Sequence, residues 1–342
     1  MSARILVECG VADTMGSESL RSMKSVFQRV SLLLALGVTL SGAGGVLHAQ
    51  NLVGDALAWF PAQTVALEYS NPSVLRTLPG YDSLRAHYLG KNLRALEASL
   101  EKLGIDENDI NQMVLGWQAG TGSEMRYEGI AAGQFDAGSI SRNAAEAKLR
   151  PQNVDGSSVY CFAEDPNRTC VTVVDATLGV FGPLPYLEAM LKARAGNGPS
   201  VASNSSFADF VRSAESDDPI WGVALGPAVS KWFKAWMPGE KNLQMDWAAA
   251  FKDVQSISYT IEGGNQVSLN VKLDCTSLGT ASQVRNLLEG MRLVQQIAWK
   301  SSNPNQPNPF QNVQVEAENR QVSFQLTADY TALERVGPLG QP

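Results

Sequence analysis

The residues best placed to do chemistry in this sequence are few, and two of them are cysteines. In "VYCFAEDPNRTCVTVV" (159–174), Cys161 and Cys170 flank the acidic, proline-containing turn "EDPN". Residues 157–162 and 169–174 alternate and are rich in β-formers, so the stretch predicts a hairpin closing on Glu164–Asn167. That register sets Cys161 directly opposite Cys170 on one face of the pair, where a cross-strand disulfide forms naturally. With so short a loop it would add about 2–3 kcal/mol on the chain-entropy account. Two buried free thiols are the alternative. A metal site lacks partners: there is no CxxC, and His87 is the only histidine after residue 49. Thiol redox chemistry also lacks the CxxC at a helix start that it uses. Cys275 ends the strand-like run "QVSLNVKLDC" and reads as a small buried apolar residue.

Other chemistries find less. His87 sits in the helical "LRAHYLG", without a G-x-S-x-G elbow anywhere, so it reads as a helix residue and not as a triad member. No dinucleotide fingerprint and no Walker A sequence is present. "DENDINQ" (106–112) has oxygen ligands at alternate positions, but Asn111 and Trp117 stand where a calcium loop needs Gly and Glu. Helix capping by Asp106 and Asp109 explains it better. Glu124, Glu128, Asp136 and Asp175 lie near predicted strands or strand ends, where solvated carboxylates are the default and a convergent glycosidase-like pair is the alternative. The most distinctive cluster is aromatic. Trp232, Phe233 and Trp236 share a helical face with Val229, with Trp221 upstream and Trp247 downstream. Core packing is the plain reading; a ligand platform built from Trp221, Trp232 and Trp236 is the functional one.

Composition bounds what these residues can serve. The chain has 342 residues, 44% hydrophobic and 18% charged, which is ordinary for a globular protein with a sizeable core. With 27 basic and 34 acidic side chains its net charge is −7, and no basic block stands out. A nucleic-acid partner would need a positive surface, so that class is set aside. From Met23 the chain reads as a secretory leader: Lys24 and Arg29, then apolar Val30–Leu40, then Leu47 and Ala49 before a cleavage at Gln50. Residues 1–22, with Glu8, Asp13 and Glu18, fit neither a leader nor a spanning helix and read as an extension of the true start. An uncleaved anchor is the alternative, but the Gly/Ser-rich stretch Ser41–Gly45 cuts the apolar run below the roughly 20 residues a spanning helix needs; after cleavage no transmembrane segment is expected. Export, to the periplasm or beyond, is an oxidising destination that suits the disulfide.

The elements that position these residues run in two passes. Residues 50–217 read as strand "TVALEYS", a turn at "LRTLPG", a long Leu-rich helix to Gly104, and a strand pair "INQMVLGWQ"/"MRYEGIAAGQF". The helix "SISRNAAEAKLR", the cysteine hairpin, strand "ATLGVFG" and two helices complete this half. Residues 218–336 repeat the plan: strand "IWGVALG", helix "PAVSKWFKAWMPG", a hairpin over Gly263–Asn265, a long amphipathic helix, a last hairpin and a short helix, with 337–342 as tail. "LRTLPG" echoes "FKAWMPG", and "DINQMVLGWQ" echoes "DVQSISYTIE". The expected fold class is α+β: two tandem similar units of antiparallel hairpins alternating with helices, split-βαβ-like, with helices on one face of each sheet.

The opening "FPA-x-T", the "LR-x-LP" before a Leu-rich helix and the run "CVTVVDATLGVFGPLPYLEAMLKARAGNGPS" together resemble uncharacterised exported bacterial α+β proteins of acidobacterial type. That resemblance implies no activity and supplies no site residues. The expectation is an exported, non-catalytic binding or structural protein without a cofactor, with a small ligand or envelope partner held between the halves. The alternative is a carboxylate-dependent hydrolase acting on a cell-envelope polymer.

Overall fold

Strand β1 (Thr64–Ser70) is the hinge of the architecture, because both halves of the chain hydrogen-bond to it. The computed structural model describes residues 44–88, 91–119, 125–163, 168–226, 228–231 and 246–333. On one side β1 pairs with β2 (Ile110–Ala119), followed by β3 (Met125–Gly133), β7 (Leu178–Pro183), β6 (Thr169–Val173), β5 (Ser157–Cys161) and β4 (Gln152–Val154). On the other it pairs with β8 (Ile220–Leu225), followed by β9 (Val254–Gly263), β10 (Val267–Cys275), β12 (Gln321–Ala328) and β11 (Gln314–Glu318). The antiparallel α+β class is therefore as expected. The expectation of one sheet per half is corrected: the two halves share a single twelve-stranded sheet. Ala66–Ser70 of β1 matches Ala224–Ile220 of β8, which satisfies backbone groups that each half alone would leave on an open edge.

Helices were expected on one face only, and in the first half that is also corrected. Adjacent residues of its strands are buried on both faces: Ala66 and Leu67, Val114 and Leu115, Ile130 and Ala131, Val180 and Phe181. A strand apolar on both sides must be covered twice. Helices α1 (Gly44–Trp59), α6 (Leu184–Arg194) and α7 (Ser205–Ala214) cover the face of Leu67, Val114 and Val180. Helices α4 (Lys91–Glu101) and α5 (Ala137–Glu146) cover the face of Leu115, Ala131 and Phe181. In the second half β8 is still buried on both faces, through Val223 and Ala224, and the strands beyond it alternate. Tyr259, Val271 and Val322 point to the 25-residue helix Leu278–Ser302, which buries Ala281, Val284, Leu288 and Met291 on them. Ser258, Thr260, Asn270, Lys272 and Gln325 occupy the opposite face by the same alternation.

Local chemistry sets several boundaries. Along the Leu-rich stretch expected as a helix before Gly104, the described residues are helical over Tyr81–Tyr88 (α3) and Lys91–Glu101 (α4), after a short turn α2 (Pro72–Leu75). Gly104 adopts φ 71°, the left-handed position that ends such a helix. Asp106 accepts from the Asn108 amide while the Asp109 carboxyl accepts from the Asp106 amide, a capping box and not a cation loop. Two elements escaped the sequence reading, β4 and α1. Helix α1 runs through the expected cleavage point, and its buried residues Leu52, Val53, Ala56 and Leu57, followed by Phe60, form an apolar stripe with helical spacing.

Candidate functional site

The cysteine hairpin forms in the expected register. Cys161 and Cys170 are cross-strand partners in β5 and β6 and are joined, S–S 1.99 Å, with Cα atoms 4.0 Å apart. Cys275 is free and buried, and burial together with Asp274 pushes its thiol pKa up, away from reactivity.

Of the three tryptophans expected to build a ligand platform, Trp221 alone lies among the described residues. Trp221 is 2% exposed, in the core under α7, with its ring stacked on Tyr69 at 5.8 Å. The reason is register: it sits opposite Tyr69 on the doubly covered part of the sheet, so it is a wall of the core and not of a cleft. Trp232 and Trp236 lie outside the described residues.

The four carboxylates singled out from sequence separate in the structure. Asp136 caps α5 by accepting from the Gly138 amide and the Ser139 hydroxyl, which holds its pKa below the usual range. Asp175 accepts from the Thr177 amide and hydroxyl in a turn, and it too is lowered. Glu124 lies outside the described residues. Glu128 is not the solvated strand residue expected: it is 0% exposed. It lies on the α1 face, where the Thr64 hydroxyl is 2.7 Å from Oε1 and the Gln118 amide donates to Oε2 at 2.8 Å. Burial pushes its pKa up to about 8 against the pull of these two contacts.

A second displaced carboxyl, Glu68, was not foreseen. It sits in the middle of β1, opposite Leu115 of β2 and Gly222 of β8, and so on the other face of the sheet from Glu128. The Tyr259 hydroxyl of β9 donates to its Oε2. Burial raises its pKa to about 7, the tyrosine opposing. Gly222 makes the contact possible: a Cβ there would stand 2.5 Å from the Tyr259 ring. Diagonal to Glu68 on the same face is Trp117, partly buried and packed against both the α4–α5 cluster and the cluster under the long helix. Glu68, Tyr259 and Trp117 thus mark the seam between the halves. The sequence signal was a lone acid inside the apolar run "TVALEYS". A carboxyl that titrates near neutrality beside a phenol and an indole can accept or donate hydrogen bonds to a ligand. With Glu68 and Glu128 on opposite faces, these two cannot act as an acid–base pair on one bond. Among the described residues, no group of three metal-ligating side chains occurs.

No family model matches the chain, and no curated protein matches it. Two solved structures of TP0453 are similar in backbone. Crystal form I gives a TM-score of 0.48 at 10% identity, covering 82% of this chain and 96% of that chain. Crystal form IV gives 0.43 at 10% identity, covering 82% and 95%. At these values the likeness carries no functional argument.

Proposed function

We propose that this is an exported, non-catalytic binding or structural protein of the cell envelope, which meets a small ligand or an envelope partner at the seam between its halves. The observation that carries the reading is Glu68: half-buried in the sheet, its pKa raised by burial to about 7, hydrogen-bonded by Tyr259 and beside Trp117, where β1 joins the two strand sets. Clefts where two units meet are common places for small ligands. The Cys161–Cys170 disulfide supports an oxidising destination, periplasmic or extracellular. No described helix is long and apolar enough to cross a membrane. The reading of residues 50–217 and 218–336 as duplicated units draws support from the sheet. Outward from the centre, one half runs β1-β2-β3-β7-β6-β5-β4 and the other β8-β9-β10-β12-β11; in each, the third strand pairs with the last strand of a later hairpin.

Native mass spectrometry of protein purified from its own compartment tests this. A co-purifying mass that disappears in Glu68→Gln and Trp117→Ala supports the seam. Wild-type protein that emerges bare, with cross-linked neighbours unaltered by either variant, overturns it. The same spectra report the mature terminus, expected at Gln50, and a gain of two hydrogens on reduction.

A further inference from the structure

The hydroxyl of Thr64 is asked to make two contacts as a donor, and it has one proton. Its Oγ1 lies 2.8 Å from the Pro61 carbonyl and 2.7 Å from Glu128 Oε1. A carbonyl can only accept, so if Thr64 donates to Pro61 the hydrogen in the second contact must come from Glu128. Gln118 Nε2 donates to the other oxygen, Oε2, leaving Oε1 as the protonated one. We propose that Glu128, Thr64 and Pro61 form a proton-operated latch: protonated Glu128 holds the end of α1 on the sheet, and loss of the proton releases it.

The latch sits where α1 is tied down. Pro61 O also accepts from the Thr64 amide, at 3.0 Å, closing the turn between α1 and β1. Phe60, just before it, is fully buried over Gly116, where a Cβ would stand 2.7 Å from its ring. The Phe60 carbonyl accepts from the Val201 amide at 2.9 Å, and Pro61 bridges Ser200, so the same turn anchors the segment between α6 and α7. When Glu128 ionises, its Oε1 can only accept, and Thr64 must turn its one proton away from Pro61 towards the carboxylate. The turn then loses a hydrogen bond and the core gains a desolvated charge, both of which favour opening.

Burial sets this carboxyl, which stays protonated up to about pH 8. Other ionisable groups lie on the elements of this face. Arg126 precedes Glu128 by two on β3, and Tyr69 on β1 is pushed up to about 12 by burial. On α1, Asp55 feels Arg194 of α6 and Asp175, and Arg194 covers the Trp59 ring at 5.1 Å. Tyr186, Glu188 and Lys192 complete the ionisable groups of α6, and on α7 Arg212 pairs with Asp209 at 2.8 Å on the exposed side. On the far face of the sheet Glu68 also titrates near neutrality, so the test is run in a Glu68→Gln background.

Glu128→Gln mimics the protonated acid, with one amide N–H for Thr64 and a carbonyl for Gln118. Opening exposes a glutamate that then ionises at its ordinary pKa. The local opening constant, read by hydrogen exchange at the Val201 and Thr64 amides after correction for intrinsic rates, should rise about tenfold per pH unit between about pH 5 and 8 and level off above. In Glu128→Gln it should stay flat. Isotope-edited infrared spectroscopy of the parent at pH 6.5 should show a protonated-acid carbonyl band that vanishes as the pH passes about 8 and is missing from Glu128→Gln. A carboxylate band alone at pH 6.5, or an equal pH slope in both proteins, overturns the latch. Should Glu128→Gln fail to fold, Thr64→Val gives the second reading. It removes the hydroxyl and should raise opening about tenfold or more at pH 6; an unchanged opening constant also overturns the proposal.

Discussion

Glu68 and Glu128 are acids whose neutral forms suit the folded state, and the sign of their effect on stability follows. Each has its pKa raised by burial, Glu68 to about 7 and Glu128 to about 8. Below the ordinary glutamate pKa both are protonated whether folded or unfolded, and nothing is lost. As pH rises from about 4.5 to about 7 or 8 the unfolded chain ionises first, and stability falls. Urea midpoints should therefore drop between pH 5 and pH 8 in the wild type, less in Glu68→Gln, and least in the double variant with Glu128→Gln. Equal drops in all three would refute these assignments. Gly222 makes a separate prediction. Alanine there puts a methyl against the Tyr259 ring, which must shift off Glu68. Gly222→Ala should lose about 1–3 kcal/mol in denaturant unfolding, the usual cost of overpacking, and should move the Glu68 titration. A variant as stable as wild type would show that this approach is looser than described.

At the scale of elements, the cysteine hairpin and the long helix behave differently when cut. Removing the disulfide with Cys161→Ser and Cys170→Ser should cost about 2–3 kcal/mol through the freed short loop, with the fold retained, because Val159 and Val171 still pack at 0% and 4% exposure. Circular dichroism melts with and without reductant measure it. The helix Leu278–Ser302 has two faces. Leu288 is buried among Val271 and Leu273, whereas Leu293, Val294 and Ile297 are exposed, Ile297 at 71%. Leu288→Ala should lose about 2–5 kcal/mol, and Ile297→Gln should stay within about 0.5 kcal/mol. Much at this scale was legible from sequence, for clear physical reasons. The Cys161–Cys170 register follows from turn chemistry, the Asp106–Asp109 cap from local hydrogen bonds, and the long helix from its period. What stayed hidden depended on long-range partners. Glu128 looks like any strand acid until Thr64, 64 residues away, closes over it. Glu68 gains meaning from Tyr259, 191 residues away.

At the scale of the whole molecule, the sequence reads as two passes, and nothing in it tells that both join one sheet, because strand pairing across the midpoint leaves no periodic trace. That sharing has a consequence for any attempt to separate the halves. Cutting after Asp217 would strip β8 from β1 and leave the row from Ala66 to Ser70 unpaired in the N-terminal piece. It would also take Trp221 and Val223 out of the cluster that holds Tyr69 and Leu67, opening a tryptophan-sized gap beneath α7. The C-terminal piece would expose β8 in the same way. An open apolar edge is a template for pairing with other copies, so each fragment alone should be aggregated or poorly folded. Co-expressed, residues 50–217 and 218–336 should assemble one to one, because β1 and β8 then find each other and the seam at Glu68 and Tyr259 closes. Size-exclusion chromatography with amide exchange at β1 measures this. Two independently folded, monomeric fragments would mean that the halves are self-sufficient domains and that the β1–β8 pairing merely docks them.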